Sequence, residues 1–370
     1  MGAVSNFDLI IFDMEDALVD QRNSLCTAVS RGVDAYLISL LGLKPEGGPV
    51  FTSDEVHEFA QTQGFDSKVD LMNALLLAAL HWLPEDISED DFDGLDGRDL
   101  LHALSQRPEM DMTLGALSER KNMIEFGKML RSKGSGQRGV TRVRGLRNRW
   151  MALSEGHIMM DNFVQRIFYE AYLGEKLFLA EHGQERQFVT ETGAIELEKS
   201  WNHPNDLAHV RKQCPLGTVT SRSQEEAQFV LDRLEIRRFL DVVVSKTAMG
   251  MGMADPEETR RISSLGVAET SQAAYHTRVT EAIERIRGQE GLQSVVRVAY
   301  VGNCAPDARG ISSIKDRYRM TAVGTIFGQD RKAATAQREK GADLVAYEPQ
   351  QMVKMLTERP RPRSGYRRHR

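Results

Sequence analysis

The chain has 370 residues, 41% of them hydrophobic and 27% charged, with a formal net charge of −5. That length and apolar content suffice for one large core or two domains. The charge balance is that of neither a general nucleic-acid binder nor a strongly acidic protein. No apolar run approaches the ~18 residues of a membrane helix, so no helical span is expected. The opening MGAVSNFDLIIFD lacks a basic segment ahead of its apolar run, and Asn6 stands where a myristoylation signal wants Ser or Thr, so neither a signal peptide nor a lipid anchor is expected. Cys26, Cys214 and Cys304 are far apart and odd in number, which reads as reduced thiols in a cytoplasmic protein.

In chain order, the first element is an apolar run at 7–12 (FDLIIF), a buried strand that ends at Asp13. From about 20 to 205 apolar residues recur at helical spacing, as in Leu37, Leu40 and Leu41, in Leu71, Leu75 and Leu76, and in Phe163, Ile167, Phe168 and Tyr172. Within this block, 85–99 is acidic. Glu89, Asp91, Asp93 and Gly94 fit the start of a calcium loop, but Leu100 sits where the closing Glu belongs, so a solvated loop is expected. Residues 128–149 are basic without an acid and include GSGQRG, which predicts a mobile surface loop, with an anionic partner as the functional alternative. His57, His81 and His157 are scattered and read as surface or core histidines rather than ligands.

Short apolar runs then return at 216–220, 240–244, 296–301, 320–326 and 343–347, separated by helical patterns such as 223–235 and 270–287. Strands alternating with helices imply βαβ units and a parallel sheet covered on both faces. The fold class expected is therefore α/β: a Rossmann-like parallel core of residues 1–20 and 206–356, interrupted by a large α-helical cap at 21–205. A basic, Pro-containing tail, 357–370, follows; its RPRPRSGYRRHR from Arg359 is read as a disordered, solubilising segment.

Parallel α/β sheets bind ligands beyond the carboxyl ends of their strands. Asp13, Glu15 and Asp16 follow the first strand; Thr220, Ser221 and Arg222 stand at the end of 216–220 and just after it; Ser245 and Lys246 follow 240–244; Gly302, Asn303 and Asp307 follow 296–301. Acids, hydroxyls, an amide and cations thus converge on one edge. A carboxylate can attack phosphorus, hydroxyls and N–H groups can hold phosphoryl oxygens, and hard oxygens can hold Mg²⁺.

The same residues carry a resemblance. FDMEDALVD is similar to the first motif of the haloacid-dehalogenase-like superfamily, Asp-x-Asp-Gly-Thr/Val-Leu-x-Asp. GTVTSRS resembles the second motif, GMADPEE the third and YVGNCAPD the fourth, in the right order and with a helical insertion after the first. The matched core covers about 1–20 and 206–350. FTSDEVHEFAQTQGFDSKVDLMNAL also resembles an uncharacterised branch of this superfamily. The resemblance implies that Asp13 is the nucleophile and that Glu15 acts as general acid and base. It implies that Thr220, with Ser221 and Arg222, binds the phosphoryl oxygens. It further implies a Mg²⁺ site built from Asp13, the Glu15 carbonyl, Asn303 and Asp307.

Four departures from the pattern bear on activity. Glu15 is one methylene longer than the usual Asp, and misplacement near 1 Å can lower a rate on the order of a hundredfold. Asp16, with Ala17, replaces Gly-Thr, adding negative charge beside the nucleophile. Asn303 replaces a charged metal ligand, so Mg²⁺ is expected to be held weakly. Met253 stands where the third motif carries lysine, a role left to Lys246 or Arg222. The leading expectation is a phosphatase acting on a small phosphorylated metabolite through an aspartyl-phosphate. The alternative is a catalytically impaired relative that binds a phosphorylated ligand or a protein. A distant third is nucleic-acid association through 128–149 and 359–370. Substrate identity and oligomeric state are not legible.

Overall fold

A computed structural model describes residues 6–65, 67–84, 86–87, 92–95, 97–143, 162–246, 278–289, 291–302, 315, 318–329, 331–339 and 341–358. Among the positions singled out above, Glu89, Asp91, residues 144–149, His157, Met253, Asn303, Cys304, Asp307, the tail from 359 and the side chain of Asp16 lie outside the described residues. The chain forms two compact units, Gln21–Glu198 and a discontinuous one made of Met1–Asp20 with Lys199–Arg370.

The helical unit contains α1 (Arg22–Leu41), α2 (Ser53–Gln63), α3 (Lys68–His81), α4 (Gly97–Ser105), α5 (Leu114–Glu119), α6 (Met123–Lys133), α7 (Gly136–Val143) and α8 (Phe163–His182). Local chemistry sets their ends. Thr52 and Glu55 form a reciprocal capping box at the start of α2, and Ser67 and Asn162 cap α3 and α8. Every residue of α3 from Leu71 to Leu80 is buried, so it runs as a core helix with apolar contact on all sides. The basic stretch expected as a mobile loop is helical through residue 143. Its glycines only punctuate it: Gly134 (φ 144°) ends α6 and Gly136 (φ 56°) opens α7, while Val140 and Val143 bury one face of α7.

Buried carboxylates organise this unit. Glu170, with no exposed surface, accepts from Arg166 Nε (2.9 Å) and from the N–H groups of Gln187, Phe188 and Val189 (3.0, 2.7 and 3.2 Å). Glu198 accepts from Tyr172 Oη (2.8 Å) and Ser24 Oγ (3.2 Å). Asp34 accepts from Val50 N–H (3.1 Å). Burial pushes its carboxyl up to about 7, against that hydrogen bond and with help from the charge of Glu191.

In the second unit the strands are β1 (Leu9–Asp13), β2 (Val19–Asp20), β3 (Lys199–Ser200), β4 (Leu216–Val219), β5 (Val242–Val244), β6 (Arg297–Gly302), β7 (Arg319–Thr325) and β8 (Leu344–Ala346). Six of them form one parallel sheet in the order β5-β4-β1-β6-β7-β8. Helices α9 (Pro204–Arg211), α10 (Gln224–Arg233), α11 (278–287), α12 (Ala333–Glu339) and α13 (Pro349–Thr357) accompany it. The α/β class and parallel sheet expected from the sequence are present. β1 is central and wholly buried, as its unbroken apolar run requires. Leu9 and Ile11 pack with Val219, Val298, Tyr300 and Ile283 on one face. At the start of β1, Asp8 receives Arg297 Nε and Nη2 (3.1 and 2.5 Å) and two backbone N–H groups. Burial would raise that carboxyl, but these donors outweigh it and hold the group below the usual range.

The boundary expected at 205 falls instead at Glu198. Residues 199–200 pair antiparallel with Val19–Asp20 (β2–β3), a ribbon too short to leave a pattern in the sequence. The chain steps from β1 outward to β4 and β5, then returns to the other side of β1 for β6, β7 and β8. The crevice beyond the carboxyl end of β1 is thus the point where strand order reverses, the usual ligand position in such sheets.

Candidate active site

Asp13 is the last residue of β1 and only 6% exposed. It caps a single π-turn, Met14–Leu18, with Oδ1 accepting from the N–H of Glu15 at 3.1 Å. The phenol of Tyr300 donates to Oδ2 at 3.2 Å. Residues 300 and 302 of β6 share the sheet face of residues 11 and 13 of β1, because partners in register alternate together. Gly302 gives Asp13 its space: a Cβ there would lie 2.4 Å from Asp13 Cβ. Sequence reading placed Gly302 on the same sheet edge as Asp13 without giving it a role, and it missed Tyr300. A phenol inside an otherwise apolar buried strand was the available signal.

Glu15 folds back from the π-turn. Its Oε1 accepts from Thr220 Oγ1 at 2.5 Å and from Arg222 Nε at 2.9 Å. Thr220 and Arg222 are buried, at 0% and 6% exposure, and the Arg222 N–H also donates to Thr220 Oγ1 (3.1 Å). The structure therefore joins Glu15, Thr220 and Arg222 into one cluster beside Asp13. Ser221 is exposed. Lys246 is exposed too and joins through its backbone, its N–H donating to the Arg222 carbonyl (2.8 Å). Its ammonium makes no hydrogen bond or ion pair among the described residues.

The π-turn is held from behind. Asn202, 2% exposed, donates to the Ala17 carbonyl at 2.7 Å, and the Trp201 N–H donates to the Leu18 carbonyl at 2.9 Å. A carboxylate ends the central strand, a tight turn returns a second one to a threonine just past the end of the neighbouring strand, and the helical insertion opens directly after β2. The fold is a Rossmann-like parallel α/β core interrupted by a helical insertion, the arrangement that the sequence resemblance implies.

No protein-family model matches the chain, and no curated protein matches it. Among solved structures, a Northeast Structural Genomics Consortium target is similar over 94% of this chain and 97% of its own, at 15% identity and a TM-score of 0.61, a likeness that shows the fold. A phosphatase from Thermococcus thioreducens (16% identity, 85% and 91% covered, TM-score 0.42) and a haloacid dehalogenase-like hydrolase from Streptococcus pneumoniae (13%, 94% and 98%, 0.39) superpose too loosely to carry an argument. Among the described residues, no group of three or more His, Cys, Asp or Glu converges as a metal site. The oxygen donors expected for Mg²⁺ that are described are the Asp13 carboxylate and the Glu15 carbonyl. They are hard ligands of the kind Mg²⁺ takes, since it binds through one or two carboxylates and keeps several waters.

Proposed function

We propose that this chain is a phosphatase of the haloacid-dehalogenase-like type, acting on a small phosphomonoester with Asp13 as nucleophile. The observation that carries this reading is the placement of a buried carboxylate at the strand-order reversal, next to a cluster of Thr220, Arg222 and a second carboxylate. An Asp13 oxygen attacks phosphorus and the bond to the leaving alcohol breaks, while Glu15 supplies the proton the alcohol needs. Water then attacks the aspartyl-phosphate, gives its proton to Glu15, and phosphate leaves with Asp13 regenerated. Thr220 Oγ and the Arg222 guanidinium hold phosphoryl oxygens through these steps. Mg²⁺, held by Asp13 and the Glu15 carbonyl, would offset the charge gathered between the carboxylate and the phosphoryl group when bound.

The test is Mg²⁺-dependent phosphate release from an aryl phosphate by the protein and by Asp13→Asn. Turnover lost in the variant, with a hydroxylamine-labile phosphoprotein in the parent, supports the reading. Equal, metal-independent background in both would sink it. A second reading, a binding protein with impaired catalysis, is favoured by the hydrogen bonds that already engage both Asp13 oxygens and by the position of Glu15 on the phosphoryl-oxygen donors. It predicts anion binding without turnover.

A further inference from the structure

Glu15 is where the chain departs from the Asp-x-Asp pattern, and its extra methylene has a visible use. The carboxylate reaches across to Thr220 Oγ1 (2.5 Å) and Arg222 Nε (2.9 Å), the groups that hold the phosphoryl oxygens in the function proposed above, on which this inference rests. A threonine hydroxyl has a single proton to donate. Thr220 is fully buried, and its oxygen already accepts from the Arg222 N–H. Its proton therefore goes either to Glu15 or to a phosphoryl oxygen, never to both. Arg222, 6% exposed, holds the same carboxylate by a charge-assisted bond.

We propose that Glu15 is an internal competitor: an anion of the chain itself that occupies the phosphoryl-oxygen donors and is displaced when a phosphate enters. The backbone of the π-turn is fixed by Asn202 and Trp201, so the exchange needs only rotation of the Glu15 side chain. Displacement frees the carboxylate from Thr220 and Arg222 at the moment the phosphoryl group takes those donors, and the freed carboxylate takes up from water the proton it then gives to the leaving alcohol. Anion binding and release of the proton-transfer group are thus one event. An aspartate at this position would fall short by about 1.5 Å, one carbon–carbon bond, and would leave the donors open.

The experiment is calorimetric titration of the full chain with inorganic phosphate, for the wild type, Glu15→Asp and Glu15→Gln. Circular dichroism would confirm that all three are folded. Glu15→Asp keeps the charge and removes the reach, so it is the deciding variant. It is expected to bind phosphate at least about tenfold more tightly than wild type, the effect of removing one charge-assisted competitor bond. Glu15→Gln, which still reaches but carries no charge, should gain in affinity as well. Unchanged or weaker affinity in Glu15→Asp overturns the inference, even in an active enzyme, and so does an absence of phosphate binding in all three proteins. The phosphatase reading stands or falls separately, on the Asp13→Asn comparison and the phosphoprotein.

Discussion

Each compact unit holds a carboxylate paired with an arginine inside its structure, and the two pairs are built to different ends. Glu170 in the helical unit is fully buried. Both of its oxygens are satisfied, by Arg166 and by three consecutive backbone N–H groups. Nothing can replace those backbone donors without unfolding the 187–189 segment, so the pair is a fixed joint. Glu15 in the α/β unit has a partly exposed side chain, and the groups that hold it, the Thr220 hydroxyl and the Arg222 guanidinium, both belong to side chains. Side chains can trade one acceptor for another. The comparison gives a working criterion: a carboxylate tied to backbone donors and sealed from water supports the fold, whereas one tied to side-chain donors at a strand end is available for exchange.

Swapping the consequences of the two pairs is the strongest way to break this contrast. Asp13→Asn, which removes the partner of the exchangeable group in the reaction, should reduce turnover at least about a thousandfold while shifting the unfolding midpoint little, as followed by urea denaturation alongside the phosphate assay. Glu170→Ala should do the opposite. It deprives the buried Arg166 guanidinium of its carboxylate and three N–H groups of their acceptor, an expected loss of about 3–5 kcal/mol of stability, visible as a lower urea midpoint for the helical unit. A large stability loss from the first or none from the second would erase the distinction.

Smaller changes sharpen it. Gly302→Ala places a methyl where only 2.4 Å separates it from Asp13 Cβ. The expected result is about 1–3 kcal/mol of destabilisation from overpacking, with turnover falling further than stability because Asp13 itself is displaced. Tyr300→Phe removes one donor from Asp13 Oδ2 and should lower stability by about 1 kcal/mol, measured by the same denaturation.

Asp34 supplies a pH signature for the helical unit alone. Its folded carboxyl titrates near 7, well above the unfolded value of 3.8. The folded state therefore holds more protons than the unfolded chain between those values, and stability declines as pH rises through that window. Asp34→Asn keeps the acceptor for Val50 N–H and removes the titration. Its melting temperature should match wild type near pH 4 and exceed it increasingly up to pH 7–8. A constant difference across this range would show that Asp34 is not the titrating group.

Much of this was readable from the sequence. The unbroken apolar run before Asp13 demanded a buried strand, and alternation of short apolar runs with helical patterns demanded a parallel sheet, because only a strand covered on both faces is apolar throughout. Order along the chain also brought Asp13, Glu15, Thr220 and Arg222 to one sheet edge, since ligand-facing residues follow the carboxyl ends of strands. The two-residue ribbon that moves the boundary to Glu198 was not readable, because two residues carry no periodicity. Nor was the helical form of 128–143, where glycine and charge outweighed the signal of Val140 and Val143. Only the tertiary structure decided which side chains touch. That Tyr300 donates to Asp13, that Gly302 makes its space and that Glu15 lies on Thr220 and Arg222 depend on strand register and on the path of a single π-turn. Register is fixed by pairing between segments up to 289 residues apart, and no local pattern in either segment encodes it.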